Sequence, residues 1–192
     1  MIEALRSFGV TDSSISNLSS FIDIFEKWNL SINLSAATSR AEIETHVVDS
    51  LHVIPHLQGR REVLDVGAGG GFPGVVAAIC LPTIRVTSLE PVHKKHAFLR
   101  TVARELRLSN FEPLTQRLED HSKRDYDVAM SRATFDLLEW LTLGSSYVAS
   151  GGVVIGFEAV PRTDLPPSTL RHSYALGDRQ RSIVTLVRIS SG

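Results

Sequence analysis

Between Glu62 and Gly74 the chain reads E-V-L-D-V-G-A-G-G-G-F-P-G, an apolar run that ends near an acid, breaks into glycines and turns apolar again. That order predicts a β-strand, a tight turn and a helix, and glycine at this density lets backbone approach a bound molecule closely. The segment has the character of a nucleotide-type cofactor site. Gly69, Gly71 and Gly74 satisfy the G-x-G-x-x-G spacing that seats a dinucleotide pyrophosphate on a helix N-terminus. By itself that spacing is weakly specific.

A second register accounts for more residues. Asp65, Gly67, Gly69 and Gly71 read as D-x-G-x-G-x-G, the loop of Rossmann-like proteins that bind S-adenosylmethionine. A carboxylate at the first turn would repel pyrophosphate, whereas it can order the loop and, directly or through water, meet the cationic amino group of a methionine moiety. The sign of the charge favours the sulfonium cofactor and leaves an NAD(P)-dependent oxidoreductase as the rival. Pro73 suits a first helical turn, where its missing N–H costs nothing. Arg85 to Glu90 predicts a second strand with Glu90 at its C-terminal edge, beside the glycine turn. A carboxylate there can accept hydrogen bonds from both hydroxyls of a ribose, a device shared by both cofactor classes. The plain alternatives are a glycine turn that only joins strand to helix and an exposed strand-end charge.

The elements needed to position these residues are legible in the apolar periodicity. Ile15, Leu18, Phe21, Ile22, Phe25 and Trp28 recur at helical spacing and predict a helix over 13–30, capped by Ser13 or Ser14. A second helix over 40–56 turns Ile43, Val47, Leu51 and Ile54 inward and ends near Pro55 and Gly59. Residues 1–58 are expected to form a helical cap on a Rossmann-like domain over 59–192, the two packed as one unit. Beyond the cap, strands at 62–67, 85–90, 111–116, 126–131 and 151–158 alternate with helices at 73–80, 93–107 and 135–147. This predicts an α/β fold with a doubly wound, mostly parallel sheet. After a turn-rich loop at 161–169, segments 171–177 and 181–189 are expected to pair antiparallel.

Composition narrows the function. The chain has 192 residues, 43% of them hydrophobic, enough for one sizeable core. A single cysteine, Cys80, excludes an internal disulfide and suits a reducing compartment. Neither a signal core nor a run of about 20 apolar residues is present, so a cytoplasmic protein without membrane contact is expected. With 20 Lys plus Arg against 21 Asp plus Glu, the formal charge of −1 argues against an indiscriminate nucleic-acid binder. Any nucleic-acid contact must come from a local patch.

Several motifs in order then resemble one family: W-N-x-x-x-N-L-S at 28–35, H-V-V-D-S-L at 46–51, L-D-V-G-A-G-G-G-F-P-G at 64–74, K-K-x-x-F-L at 94–99, R-L-E-D at 117–120 and D-V-A-M-S-R-A at 127–133. They resemble the glucose-inhibited-division-B family, also called RsmG, of bacterial 16S rRNA methyltransferases. The resemblance implies a class I methyltransferase fold and transfer of a methyl group from S-adenosylmethionine to guanine N7 in 16S rRNA, leaving S-adenosylhomocysteine. It implies Gly67 and Phe72 on the methionine and ribose side of the cofactor, beside the Asp65, Gly69, Gly71 and Glu90 already read from the spacing, with Leu118 and Glu119 framing the adenine. Arg132, at the end of the fourth strand, would grip the methionine carboxylate or the substrate. The expected partner is 16S rRNA or the small ribosomal subunit, with the chain acting as a monomer and without a metal.

Two positions depart from that family's pattern. Thr45 stands where an Arg is common, and Glu158 with Ala159 where a Lys-Gly pair is common. Both remove a basic residue, which keeps open a divergent homologue that binds S-adenosylmethionine with another substrate or a regulatory role. The candidate RNA surface is the helix at 93–107, through Lys94, Lys95, Arg100 and Arg104, with a merely solvated face as the alternative. His46, Asp49, His52 and His56 fall near one helical face and mimic a metal cluster. Hydrogen bonding of the cap to the catalytic domain is the expected role of His46 and Asp49.

Overall fold

The computed structural model describes residues 1–189. Four helices come first: α1 (Ile2–Ser7), α2 (Asp12–Ile32), α3 (Arg40–Leu51) and α4 (Ile54–Leu57). There follow β1 (Glu62–Val66), α5 (Gly74–Cys80), β2 (Arg85–Leu89), α6 (His93–Glu105), β3 (Phe111–Leu114) and β4 (Tyr126–Ser131). The chain continues as α7 (Leu137–Ser145), β5 (Val148–Glu158), β6 (Thr169–Leu176) and β7 (Arg179–Val187). Among these residues no helix is long and apolar enough to cross a membrane.

The seven strands form one sheet in the order β3-β2-β1-β4-β5-β7-β6. The first five strands pair in parallel, β7 runs antiparallel to β5, and β6 pairs antiparallel with β7. Strand order reverses between β1 and β4, and ligands of open α/β sheets bind outside the carboxyl ends of strands at such a switch point. Here the two ends are Gly67 and Arg132, held in register by a hydrogen bond from the Ser131 hydroxyl to the Val66 carbonyl at 2.9 Å.

Successive residues of a strand face opposite sides of a sheet. Val63, Val128, Met130, Val153 and Ile155 accordingly pack with α2, α3 and α5 in one core. Leu64, Val66, Ala129 and Val154 pack with Leu137, Trp140 and Leu141 of α7 in the other. The larger core runs without a break from Leu18, Phe21 and Phe25 of α2 to Val75 and Val76 of α5 and Phe98 of α6. Trp28 joins it half-buried, its ring edge-on to Phe98 with centroids 5.9 Å apart.

Local differences from the expected elements have local causes. α1 is too short to carry a helical repeat, yet its Leu5 is fully buried. The helix expected over 40–56 breaks into α3 and α4 because Pro55 is tolerated only in a first turn, the place it takes in α4. α2 begins at Asp12 because Thr11, in an extended conformation, accepts the Ser14 N–H, so neither Ser13 nor Ser14 is the cap. α3 starts with a full capping box between Ser39 and Glu42. β3 stops at Leu114, two residues early, and β5 starts at Val148 through a register shift opposite Tyr126 and Val128.

Candidate functional site

A cleft of about 1280 Å³ opens at the carboxyl ends of the central strands. Its floor is Gly67–Gly70 with Phe72, and one end carries Glu90, Pro91 and Lys95. Arg132–Thr134 and Phe157–Ala159 form the sheet side, residues of α3 and segment 34–37 form the cap side, and the β6–β7 hairpin closes the far end with Tyr174, Arg179 and Arg181.

Gly67, Gly69 and Gly71 all have positive φ, the region that disfavours a side chain, so the D-x-G-x-G-x-G register coincides with the positions where glycine is conformationally required. Gly74, the last glycine of the rival spacing, is needed for close approach instead. A Cβ there would stand 2.2 Å from the Asp65 carboxylate.

Asp65 does not face the cleft. Strand alternation turns it, with Val63, beneath α5, where it is buried and accepts the Gly74 N–H and the Ser88 hydroxyl, the latter at 3.1 Å. Its other oxygen, Oδ1, has no hydrogen-bond partner among the described residues. Burial pushes this carboxyl up to about 7, outweighing the opposing pull of Ser88 and of the Arg132 charge. Ordering of the glycine loop is the role this geometry allows; the expected contact with a cofactor ammonium finds no route.

Glu90 is buried at the cleft wall. One carboxylate oxygen accepts the Gly69 N–H and the other the Val92 N–H, both at 2.8 Å. Glu90 therefore fixes the loop tip to the end of β2, and each oxygen keeps a second acceptor site for a ribose hydroxyl. Arg132 donates through Nη1 to Asp49 Oδ2 at 3.0 Å, and its guanidinium lies 5.1 Å from the centre of the Phe72 ring. Among the described residues its Nη2 has no hydrogen-bond partner, which leaves it able to meet a carboxylate. His46 packs on the same ring at 5.4 Å, and burial followed by the Arg132 charge lowers its proton affinity, which favours the uncharged ring. Loop, acid and arginine fit a cofactor that carries a ribose and an amino-acid carboxylate.

A family model described as GidB, rRNA small subunit methyltransferase G, matches residues 14–160. The chain belongs to the GidB family. It is 39% identical over 143 residues to the ribosomal RNA small subunit methyltransferase G of Myxococcus xanthus, spanning 72% of this chain and 66% of that protein. It is 38% identical over 169 residues to the same-named protein of Burkholderia pseudomallei strain 1106a, spanning 82% and 73%. The chain thus covers just under two thirds of the first relative's length. Among solved structures, cofactor-bound Rv0187 from MTB superposes with a TM-score of 0.64 at 16% identity, over 91% of both chains. The GidB chain has the Rossmann-like class I methyltransferase fold.

Of the residues singled out from the sequence, Gly67, Gly69, Phe72, Glu90, Lys95 and Arg132 line the GidB cleft, as do Thr45, His46, Asp49, Glu158 and Ala159, while Gly71 is not among the lining residues. Leu118 and Glu119 do not reach it. Past the early end of β3, Leu118 sinks among Tyr126, Tyr147 and Trp140 while its carbonyl accepts the Tyr147 hydroxyl. Glu119 is exposed beside Arg117. Lys94, Arg100 and Arg104 point to solvent away from the cleft, and Arg104 pairs with Glu105 at 3.7 Å. His96, on the same helix, is tied to the Pro113 carbonyl.

The histidines near α3 go to ring contacts. His52 stacks on Tyr174 with centroids 3.6 Å apart, and His56 meets His172 edge-on at 4.7 Å. No metal-sized group of three such side chains converges among the described residues. Tyr174, whose hydroxyl donates to Asp49 Oδ1 at 2.6 Å, had no signal in the sequence. Glu158 is buried, yet Arg171 reaches both its oxygens, at 2.7 and 2.9 Å.

Proposed function

We propose that this chain transfers the methyl group of S-adenosylmethionine to N7 of a guanine in 16S rRNA, acting in the cytoplasm as a monomer. The observation that carries this reading is a cleft at the switch point of a GidB-family fold that is larger than the roughly 300–1,000 Å³ of single-ligand sites. It has room for a cofactor and an extruded base side by side. When bound, S-adenosylmethionine supplies an electrophilic methyl group, which the N7 lone pair of a neutral guanine takes while sulfur keeps the electrons of the broken bond.

No residue has to remove a proton from N7, so the demand on the chain is placement. Glu90 and the Gly67–Gly70 turn would hold the ribose and backbone side of the cofactor. Arg132, fixed by Asp49 and backed by Phe72, would hold its carboxylate or the incoming nucleotide. Phe72 and His46 supply an uncharged wall that limits water. Glu158 adds no unopposed negative charge, because Arg171 neutralises it. That answers the added acid at this position, while the absent lysine and Thr45 remain the support for a divergent, non-catalytic homologue.

The test is methyl transfer from labelled S-adenosylmethionine to small ribosomal subunits and to 16S rRNA lacking the modification, followed by mapping of N7-methylguanine. Label at one guanine is expected. Tight S-adenosylhomocysteine binding with no label on either substrate would overturn the reading in favour of the divergent homologue.

A further inference from the structure

The cations that face the cleft do not come mainly from α6, where the sequence concentrates them. Tyr174 pairs with Arg181, and Leu176 with Arg179, directly across the β6–β7 hairpin. Residues directly opposite in an antiparallel pair share one face of the sheet. The Tyr174 hydroxyl reaches Asp49, so this face looks into the cleft and carries both arginines with it.

Carboxylates on the same walls are already committed. Glu42 caps α3, Glu44 lies 3.6 Å from Arg40, Asp49 holds Arg132, Glu90 holds two backbone amides and Glu158 holds Arg171. Asp178, at the hairpin turn, is the exception. Within 4 Å no carboxylate of the described residues pairs with Arg179, Arg181 or Lys95, whereas neighbouring Arg162 and Arg171 are both paired. Arg181 makes one neutral contact, to the Ala159 carbonyl at 3.2 Å. Tyr174–Asp49 and Arg171–Glu158 bonds fasten the hairpin to α3 and β5, which gives its arginines a fixed position.

We propose that Arg179 and Arg181 grip backbone phosphates of the RNA strand on one side of the target base, while Lys95, at the other end of the cleft, holds the strand on the other side. This rests on the rRNA methyltransferase reading above. Lys95 follows β2 and the arginines sit on β7, four strand positions away, a span of about 19 Å at the usual spacing. A few nucleotides of single strand bridge that distance, with the splayed base dropping between the ends toward Arg132. The hairpin lies beyond residue 160, where the family model stops, so its grip belongs to the part of the chain that the model does not cover.

The test is binding of unmodified, fluorescein-labelled 16S rRNA by the full chain saturated with S-adenosylhomocysteine, measured over a potassium chloride series. Arg179→Ala with Arg181→Ala should bind more weakly, and the slope of log Kd against log salt should fall by about 1.4, at about 0.7 for each phosphate no longer neutralised. The single variant Arg179→Ala, which leaves the Arg181 bond to Ala159 in place, should show about half of that fall. Lysine at both positions should restore the slope. S-adenosylhomocysteine titration of each variant checks the fold. An unchanged slope in the double variant, with wild-type binding intact, overturns the hairpin grip alone, as does a loss found instead in Arg100→Ala with Arg104→Ala. Failure of the wild-type chain to bind both this RNA and labelled small ribosomal subunits overturns the methyltransferase reading, and the grip with it.

Discussion

Asp49 and Arg132, 83 positions apart, meet at 3.0 Å with both side chains largely buried, so the cap helix α3 fixes the arginine at the end of β4. The second Asp49 oxygen is taken by Tyr174. One carboxylate thus joins cap, β4 and hairpin at the edge of the cleft. Replacing Asp49 by Ala would leave two part-buried donors without an acceptor, at a cost of up to about 1–3 kcal/mol each, and would release Arg132. Asn can still accept from Arg132 and donate to Tyr174, so Asp49→Asn should fold while holding the arginine less firmly. Methyl transfer at saturating cofactor should fall about tenfold or more in Asp49→Asn, with a smaller change in S-adenosylhomocysteine affinity. Equal losses in both would place Asp49 in cofactor binding instead.

Glu90 anchors the loop through both oxygens and faces the ribose site with the same carboxylate, so its substitutions weigh on stability and affinity by different amounts. Ala would remove the acceptors for Gly69 and Val92 and loosen the loop itself. Gln keeps one acceptor of similar shape but loses the charge that strengthens hydrogen bonds to ribose hydroxyls, worth about 1.5–3 kcal/mol. Because Gln also turns its NH2 group against the Gly69 or Val92 N–H, Glu90→Gln should lose about 1–3 kcal/mol of stability in urea unfolding and, still folded, bind S-adenosylhomocysteine roughly 10- to 100-fold more weakly by calorimetry. Wild-type affinity in this variant would remove Glu90 from the ribose site.

What is legible in the sequence is what is local. The glycine loop, Glu90 and Arg132 each sit at a strand end, so spacing plus the switch-point rule is enough to bring them together. Loop ordering by Asp65 follows from its place at the turn, but its facing requires strand alternation to be applied to a single residue. Leu118 and Glu119 miss the cleft because β3 ends early and the chain then folds inward on Tyr147. Tyr174 cannot be read at all: its contact with Asp49 spans 125 positions and depends on where a terminal hairpin lands. The same holds for Glu158, which looks like a lost cation in sequence and proves to be half of an ion pair.

Asp65 should leave a pH signature. Its folded-state carboxyl is raised to about 7 by burial, above its ordinary value of 3.8, so the folded chain holds this proton more tightly than the unfolded chain does. The stability from that proton is complete below about pH 4 and is lost as pH rises toward 7, after which it stays lost. The full swing is on the order of 4 kcal/mol. Asp65→Asn keeps an acceptor for Gly74 and has nothing to titrate, so its stability relative to wild type should climb between pH 4 and 7. Urea unfolding at pH 5 and 8 measures it, and a constant difference would mean that Asp65 titrates normally.

Glu158 and Arg171 should behave as a unit. Glu158 is buried, and it also accepts the Arg162 N–H, so removing its cation strands a charge beneath the loop that follows β5. Fully buried pairs lose about 3–5 kcal/mol when one partner goes. Arg171 is about one-third exposed, and solvent screening brings the loss expected for Arg171→Ala below that of a fully buried pair. Glu158→Lys would place an ammonium against the guanidinium and destabilise the chain at least as much. Exchanging both residues, Glu158→Lys with Arg171→Glu, restores an opposite-charge pair and should recover most of the loss in urea unfolding. If the exchange is no more stable than Glu158→Lys alone, the site depends on the carboxylate's contact with the Arg162 N–H rather than on its charge, and a lysine after β5 is incompatible with this hairpin.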